Sequence, residues 1–561
     1  MSTTGPGPTG DEAVPFGGAL DLSNRGPSDG SGADRRPSTA LIVSSAVVAA
    51  AFVGPLFYVV WRNLSLGSDL ADELLNRSTL EALLRTVVLA VLVSSTAAVV
   101  GTGMAWLVAR TDLPGRPVWR VLAPLPLVFP SFVGAAALLA AFARGGMVDR
   151  LLDPLGVGAA PQIDGLLGAW LVLVLFTYPY VYLPVVARLS SLPSSLEESA
   201  RLLGHGPWSV FRTVVLPQTR VAIAAGTLLV FLYTVSDFGA VALMRYDTLT
   251  VDIYANRLAD QARSFSLALV LAVLALVVVM GERAVARRRF VTEVTGSGRS
   301  LVVPLGRWRG AAVVAMTLFL GNALVGPIAA LGYWAGRGLL AAENTSGALA
   351  ADLGDLVVPA VNTSLISVAT AAVAVVVVLP LAYLTARYRT RFGGVANTVV
   401  VGGFALPGLV IALALVFWAL SAPGGAVFYQ TLPLLVFAYV VHFGAQSMRA
   451  AQVAVGGVPA RLEDAARMLG AGRVRRFTTV ELPLMMPGLL AGAGLVLLST
   501  MKELPATLLL RPTRFETLAV RIWNAAEDGF LAEVGLASLV LVLFSGVLTW
   551  LLVTRRQLHL S

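Results

Sequence analysis

The sequence predicts an all-α integral membrane protein with twelve transmembrane helices, arranged as two parallel six-helix repeats. Three observations predict this fold class: the composition is strongly apolar, twelve stretches approach the length of a membrane span, and segments of the first half recur in the second. Hydrophobic residues make up 57% of the 561 residues, charged residues only 13%, and the mean hydropathy is +0.79. Soluble domains have a very different balance, so this chain belongs in a bilayer.

The twelve spans follow from length and apolarity. Crossing about 30 Å of hydrocarbon at about 1.5 Å per residue takes about 20 apolar residues. Stretches of this kind lie near 41–61, 84–109, 118–142, 166–190, 218–243, 265–281, 310–331, 358–386, 395–420, 431–448, 484–509 and 531–553.

Arginine is distributed unevenly between the predicted loops. With the N-terminus inside, the cytoplasmic loops hold 28 arginines and the outside loops hold 12. Cytoplasmic loops of membrane proteins carry such an excess, and the reverse topology would invert it. We therefore expect a multi-pass protein of the cell membrane (inner or plasma membrane) with both termini in the cytoplasm.

The division into domains follows the same pattern. Residues 1–38 are rich in Gly, Pro and Ser and contain no apolar run, so they are expected to form a disordered cytoplasmic tail. Residues 39–281 form the first six-helix half and residues 310–561 the second. Between them, the basic and glycine-containing segment 282–309 is predicted to be a cytoplasmic linker.

Two segments of the chain repeat. The residues at 105–110 (AWLVAR) recur at 382–387 (AYLTAR), an offset of 277, and each closes the second span of its half. A longer match, gapless at an offset of 266, joins Leu196–Pro217 to Leu462–Pro483 with 12 identities in 22 positions. Because six spans per half is an even number, both halves enter from the same side, which predicts a parallel repeat.

The longer repeat predicts a small element that protrudes from the bilayer. Leu196, Ala200 and Leu203 occupy one face of a short helix, which Gly204 ends in a left-handed cap. Pro217, and Pro483 in the second half, are expected to mark the break where the chain re-enters the membrane. Such an element suits insertion into a groove on a partner protein. The alternative is an amphipathic helix that lies on the bilayer surface.

This pattern resembles the EAA loop of type I ABC importer permeases. Glu198-Ser199-Ala200 is followed at the family's spacing by Gly204, Val214, Leu216 and Pro217, and the second half matches equally from Asp464 onward. In that family the loops are coupling helices that sit in a cleft of each ATPase subunit. The resemblance implies docking residues Glu197, Glu198, Ala200, Leu203, Gly204, Glu463, Asp464, Ala466, Leu469 and Gly470.

The partners follow from what the chain lacks. Lys502 is the only lysine and lies outside any GxxxxGK[ST] pattern, so ATP would be bound by separate chains. Two docking loops imply two copies of an ABC ATPase subunit, and the short outside loops imply a separate extracytoplasmic solute-binding protein. No catalytic constellation, metal-ligand spacing, cofactor or nucleic-acid partner is predicted.

Three ionisable residues are predicted in or near the fifth and eleventh spans: Asp237, Lys502 and Glu503. Charges at such depth are costly, which favours a role in the translocation path. Asp237 and Glu503 are repeat equivalents and could face each other and favour a cation. The alternative is that the acids and Lys502 pair locally or extend to the outer surface.

The segments around these residues resemble iron(III) ABC importer permeases in particular. The resemblance rests on Ser236–Ala240, on Lys502–Thr507 with Leu510–Pro512, and on Thr111–Arg116. It implies iron(III) as cargo, while thiamine, phosphonate or another small solute stays open. A secondary transporter of the major facilitator type is a further alternative, although it has no use for duplicated docking loops.

Overall fold

The computed structural model describes residues 37–67, 69–156, 161–287, 302–342, 351–388, 390–403 and 406–558. The predicted tail lies almost wholly outside these ranges. Within them the regular structure is helical, and the one pairing of extended backbone is an isolated bridge between Thr111 and Val303. The all-α prediction is confirmed for these residues.

The helices of the first half are α1 (Thr39–Leu64), α2 (Asp69–Leu75), α3 (Arg77–Arg110), α4 (Arg116–Leu122), α5 (Ser131–Phe142), α6 (Met147–Leu152), α7 (Gly165–Thr177), α8 (Pro179–Ser191), α9 (Ser194–Leu202), α10 (Pro207–Val210), α11 (Leu216–Ser236), α12 (Gly239–Leu243), α13 (Leu249–Asn256) and α14 (Gln261–Arg287).

The helices of the second half are α15 (Arg309–Leu320), α16 (Gly326–Ala342), α17 (Val357–Arg387), α18 (Arg391–Gly403), α19 (Gly408–Ser421), α20 (Leu432–Gly456), α21 (Ala460–Met468), α22 (Arg473–Arg476), α23 (Leu482–Met501), α24 (Pro505–Leu510), α25 (Leu518–Glu527) and α26 (Leu531–Leu558).

Nine helical segments of the described residues are long and apolar enough to cross a membrane, or eleven if two sharply bent helix pairs each count as one span. The tenth predicted span corresponds to α20, which has 25 residues but is less apolar because it carries residues such as His442, Gln446 and Arg449. Twelve spans in two repeats therefore stays a prediction, and the coarser description of a many-helix membrane protein holds.

The third and ninth predicted spans are not straight. The segment Arg116–Val128 meets α5 at 93°, and α18 meets α19 at 102°. Prolines stand at both bends, Pro130 and Pro407, separated by the repeat offset of 277. Proline lacks an N–H and disfavours helix at the preceding residue, so an apolar stretch that looks continuous in hydropathy is broken in space.

The fifth and eleventh predicted spans, near 218–243 and 484–509, are also interrupted. Helix α11 ends at Ser236 and α12 begins at Gly239, while α23 ends at Met501 and α24 begins at Pro505. The residues at these interruptions include the three predicted path residues. Each of these two apolar stretches is therefore a broken helix.

The first membrane-spanning segment of each half packs against the other half. Helix α1 contacts α17, α18 and α19, and its Phe52 is buried against Gly444 of α20, where a Cβ atom would lie 2.4 Å from the ring. Helix α16 packs on α5, and the indole nitrogen of Trp334 donates a hydrogen bond of 2.7 Å to the carbonyl of Ala140. The two halves are thus interlocked.

The predicted linker 282–309 is only partly described. Its first residues continue α14 as far as Arg287, and residues 288–301 lie outside the described ranges. The remainder is attached to the loop after α3. The amide of Val303 donates to the carbonyl of Arg110 (2.8 Å), and the amide of Leu305 donates to Asp112 (2.8 Å).

Candidate functional site

Helices α9 and α21, which we call the first and second docking helices, carry the repeated motif. Both end at a glycine with positive φ: Gly204 at 85° and Gly470 at 78°. The amide of His205 donates to the carbonyl of Ala200 at 3.2 Å, and the equivalent bond in the second half measures 3.0 Å. The predicted left-handed cap is therefore confirmed in both halves, and glycine adopts this conformation without a steric cost.

Each docking helix is anchored by an ion pair to the end of a long membrane helix. Arg110, the last residue of α3, lies 2.9 Å from Glu197, and Arg387, the last residue of α17, lies 2.5 Å from Glu463. The side chains of the first pair are 1% and 3% exposed, and those of the second are 19% and 10% exposed. The repeated segment 105–110 thus contacts the first docking helix, and its copy 382–387 contacts the second.

Burial dominates the electrostatics of the first anchor. It raises the pKa of the Glu197 carboxyl above its ordinary value, and the guanidinium groups of Arg110 and Arg201 oppose this shift. Desolvation of a buried ion pair commonly outweighs the attraction between its charges. The pair therefore positions the docking helix, and losing one partner would leave a buried charge behind.

The inward and outward faces of the docking helices differ from the prediction. Leu196, Ala200 and Leu203 were expected on one face, but Ala200 is 8% exposed and Leu203 is 80% exposed. The reason is that α9 ends at Leu202, so Leu203 lies in the cap and not on the helical stripe. Ala200 and Glu197, three residues apart, face inward together.

The other predicted docking residues lie on the outer face or at its edge. Leu469, with its neighbour Met468, is about nine-tenths exposed, and Glu198 is exposed as well. Asp464 lies 3.8 Å from Arg467 on the same helix. In the second half, the residues that face inward are Glu463 and Ala466, which are 7% and 9% exposed.

Pro217 and Pro483 do not break the chain where it enters the membrane, contrary to the prediction. Both follow a π-helical turn, Phe211–Val215 in the first half and Phe477–Glu481 in the second. The wider turn accommodates a residue without an N–H, so the helix continues through the proline.

The bases of the two docking elements differ chemically. In the second half the hydroxyl of Tyr383 donates to Glu481 (3.0 Å), and Arg476 also donates to Glu481 (2.7 Å). At the corresponding place in the first half, Trp106 packs edge-on against Phe211 at 5.9 Å between ring centroids. One element thus rests on a charged network and the other on an aromatic contact.

A cavity of about 480 Å³ lies between the two halves, at the four places where the membrane helices are interrupted. This volume is within the range of about 300–1,000 Å³ found for small-molecule sites. Transporters of several folds bind cargo where discontinuous helices meet. The wall of the cavity includes Phe129, Pro130, Ser131, Phe176, Tyr180, Tyr233, Ser236, Asp237, Gly408, His442, Gln446, Ser499, Lys502 and Glu503.

All three predicted path residues line this cavity, and the two acids perform the same structural task. Asp237 accepts a hydrogen bond from the amide of Ala240 (3.0 Å), and Glu503 accepts one from the amide of Ala506 (2.9 Å). Each carboxylate thus caps the short helix that follows it. Asp237 and Glu503 are 8% and 6% exposed.

The neighbours of the two acids differ in size, with a serine beside the shorter acid and a glycine beside the longer one. Ser131 donates a hydrogen bond to Asp237, whereas the equivalent position in the second half is Gly408. A Cβ atom on Gly408 would lie 2.9 Å from an oxygen of Glu503 and 3.3 Å from the Nε2 atom of His442. The glycine leaves room for the longer acid.

Lys502 forms no local pair with either acid among the described residues. Its ammonium donates to the carbonyl of Leu127 in the first half at 2.8 Å. The alternative of local pairing is therefore wrong for this lysine. Over the described residues, no group of three or more His, Asp or Glu side chains is arranged to hold a metal ion.

Several lining residues escaped the sequence-based prediction. His442, Tyr180, Tyr233 and Gln446 are not among the predicted path residues, although all four line the cavity. A signal was available, because Tyr180 and Gln446 are separated by the repeat offset of 266, as are Tyr233 and Ser499. Applying the repeat offset to the three predicted path residues alone does not lead to any of these four residues.

Interlocked helical halves, two short helices anchored to the ends of long membrane helices and a cavity between the halves are the architecture of a membrane permease. The chain belongs to the family described as binding-protein-dependent transport system inner membrane component, whose model matches residues 98–290 and 378–557, one match in each half. It is a type I ABC permease in the fused form. Permeases of this family are multi-pass inner-membrane transporters, not enzymes, and they work with ATPase and substrate-binding partners.

One relative is similar over nearly the whole chain. The Fe(3+)-transport system permease protein FbpB 2 of Haemophilus influenzae is 29% identical over 535 residues, which cover 92% of this chain and 98% of the relative. The molybdenum transport system permease protein ModB of Escherichia coli is 35% identical over 141 residues (25% of this chain, 60% of the relative). The sulfate transport system permease protein CysW of Escherichia coli is 28% identical over 231 residues (40% and 78%).

Proposed function

We propose that this chain forms the translocation path of an ATP-driven importer of iron(III), and that its two docking helices couple the path to two copies of a separate ATPase subunit. The observation that carries the proposal is the ion pair repeated in both halves, Arg110 with Glu197 and Arg387 with Glu463. It joins each docking helix to the end of a membrane helix.

The anchors supply a route by which movement at a docking helix reaches the membrane. Helix α3 has 34 residues and α17 has 31, so each rises about 50 Å at about 1.5 Å per residue. An ATPase that moves the exposed tips at Leu203 and Leu469 would pull on both helices. Coupling of this kind biases an equilibrium between two arrangements of the halves.

The orientation supports the same function. The arginine excess predicts that the docking helices and both termini face the cytoplasm, where ATP is available. The opposite end of the molecule is then the docking side for an extracytoplasmic solute-binding protein. The cavity lies between these two ends, as alternating access requires.

Iron(III) is favoured as cargo because a permease of Fe(3+) transport matches this chain over almost its full length, whereas the molybdenum and sulfate permeases match smaller parts. The two carboxylates in the cavity wall are compatible with a cationic cargo. An oxyanion such as molybdate or sulfate is the second candidate, favoured by those shorter matches and by the ammonium of Lys502.

The coupling is tested by assembly and by uncoupling. Native mass spectrometry of the gently solubilised chain should recover two ATPase copies per permease. Replacement of both cap glycines, Gly204→Pro with Gly470→Pro, should abolish uptake while expression is retained, because proline cannot adopt the positive φ of the cap. Normal uptake by this double variant would refute the coupling.

The path and the cargo are tested by transport. Vesicles that contain the whole transporter should accumulate radiolabelled iron(III) in an ATP-dependent manner. The variant Asp237→Asn with Glu503→Gln should reduce this uptake, whereas unchanged affinity and rate would assign both acids to helix capping alone. Uptake of molybdate or sulfate in place of iron would transfer the proposal to the second candidate.

A further inference from the structure

One lysine, Lys502, lies in the wall of the cavity. It is the only lysine of the chain, and its repeat counterpart is Ser236, so the first half contributes no equivalent charge. Among the described residues, no ion pair joins Lys502 to an acid. The charge is thus present in one half only and is not neutralised within the described structure.

The two acids in the cavity wall are engaged in hydrogen bonds with other groups. Asp237 accepts hydrogen bonds from Ala240 and from Ser131, and Glu503 accepts from Ala506 and from both the amide and the hydroxyl of Thr507. Each acid therefore already has partners from the helix that it caps. Both still contribute negative charge to the cavity wall.

The position of the ammonium is fixed from the opposite half. Among the residues that the structure describes, its one hydrogen bond goes to the carbonyl of Leu127 at 2.8 Å. Leu127 lies just before the interruption at Pro130. A lysine ammonium has three N–H donors, so two remain for another acceptor. The side chain is half-buried at the cavity, so these donors are accessible to whatever enters it.

An unneutralised charge at membrane depth is costly unless a partner compensates it. We propose that Lys502 binds an anionic oxygen of the cargo as the cargo passes through the cavity. This inference rests on the proposed role of the cavity as the translocation path. The cavity wall thus presents one ammonium together with the carboxylates of Asp237 and Glu503. This set of charges suits a cargo of mixed charge, a ferric ion that carries anionic oxygen ligands.

An anionic oxygen has two possible sources, a free oxyanion or the ligand of a metal chelate. The experiment uses proteoliposomes that contain the full-length permease with its ATPase and binding protein. Uptake is measured for iron(III) citrate, labelled separately in the iron and in the citrate, and for labelled molybdate and sulfate. The variants are Lys502→Met, which removes the charge, and Lys502→Arg, which retains it.

Arg391, an exposed arginine at the start of α18, provides the matched control. Lys502→Met should lower uptake at limiting cargo by about tenfold to 100-fold, the effect of losing one hydrogen bond to a charged group. Lys502→Arg should keep most of the uptake, and Arg391→Met should match the unaltered protein. Entry of labelled citrate with iron identifies a chelate as the cargo, and entry of molybdate or sulfate alone identifies a free oxyanion.

These arms separate this inference from the proposed iron function. If the unaltered transporter takes up only an oxyanion, the iron proposal fails while the lysine is still tested on that oxyanion. A second measurement is independent of transport: citrate, molybdate or sulfate should raise the unfolding temperature of the purified permease, and Lys502→Met should abolish the rise. Uptake by Lys502→Met equal to the unaltered protein, equal losses in Lys502→Met and Lys502→Arg, or no anion-dependent rise would each overturn the inference.

Discussion

Replacement of Glu197 by alanine is expected to release the first docking helix. The side chain of Arg110 is 1% exposed and lies 2.9 Å from Glu197, so the substitution leaves a buried cation without its counter-charge. Removing one partner of a buried ion pair costs about 3–5 kcal/mol. Since every 1.4 kcal/mol is a factor of ten, the released form should become about 10²- to 10⁴-fold more populated relative to the anchored form.

The chain contains no cysteine, which makes the assay direct. A spin label on Ser199→Cys, on the exposed face of the first docking helix, reports the mobility of this helix by electron paramagnetic resonance. The label should be restricted in the otherwise unaltered protein and mobile with Glu197→Ala. The double variant Arg110→Met with Glu197→Leu should restore the restricted spectrum, because it removes both buried charges together.

Two results would refute this reasoning. A restricted label with Glu197→Ala would mean that the ion pair does not anchor the helix. A label as mobile in the double variant as in Glu197→Ala would mean that the uncompensated charge of Arg110 is not the cause of the release.

The remaining predictions concern the second anchor, the cavity, the cap and pH. Glu463→Ala should release its docking helix less than Glu197→Ala does, because its ion pair is more exposed. Gly408→Ala should lower uptake by about tenfold, since overpacking costs about 1–3 kcal/mol and its Cβ atom would lie 2.9 Å from Glu503. Gly204→Ala should destabilise the first docking helix by about 1–2 kcal/mol, because its φ is 85°. Burial raises the pKa of Glu197, so its contribution to the free energy of unfolding should be greatest below the unfolded value of 4.5 and decline as pH rises through the raised value.

Each of these has a control. Ala465→Cys, the repeat equivalent of Ser199, carries the label for the second docking helix, and equal mobility with Glu463→Ala and Glu197→Ala would contradict the ranking. Gly403→Ala, whose Cβ atom would lie 3.6 Å from Phe52, should be tolerated, unlike Gly408→Ala. An unchanged label spectrum would contradict the Gly204 prediction. The free energy of unfolding should fall more from pH 4.5 to 8 with Glu197 present than with Glu197→Gln, and an equal or smaller fall with Glu197 present would contradict the assigned shift.

The docking helices illustrate how far local pattern reaches. Their place in the chain, their duplication and their left-handed caps at Gly204 and Gly470 follow from the sequence, because a cap depends on residues within one turn. The inward turn of Glu197 does not follow from that pattern. Its partner Arg110 lies in a different repeat segment, and only the packing of α9 against the end of α3 brings the two together.

The path residues show the opposite balance. Asp237, Lys502 and Glu503 could be singled out because charge is rare in apolar stretches. Their roles could not, since hydropathy averaged over a span is blind to a helix that stops at Ser236 and restarts at Gly239. Nothing along the chain indicates that His442 lies beside Glu503, because His442 is on α20 and Glu503 is in the break between α23 and α24.

The sequence by itself thus determined the membrane location, the helical class, the two-fold repeat and the duplicated motif of α9 and α21. These properties depend on composition and on the spacing of residues along the chain, and both can be read from the sequence. Only the tertiary structure decided which faces of the docking helices turn inward, where the membrane helices break and which side chains share the cavity. These depend on contacts between segments that are far apart in the sequence, such as Arg110 with Glu197 and Lys502 with Leu127. Such contacts are set by how the helices and the two halves pack.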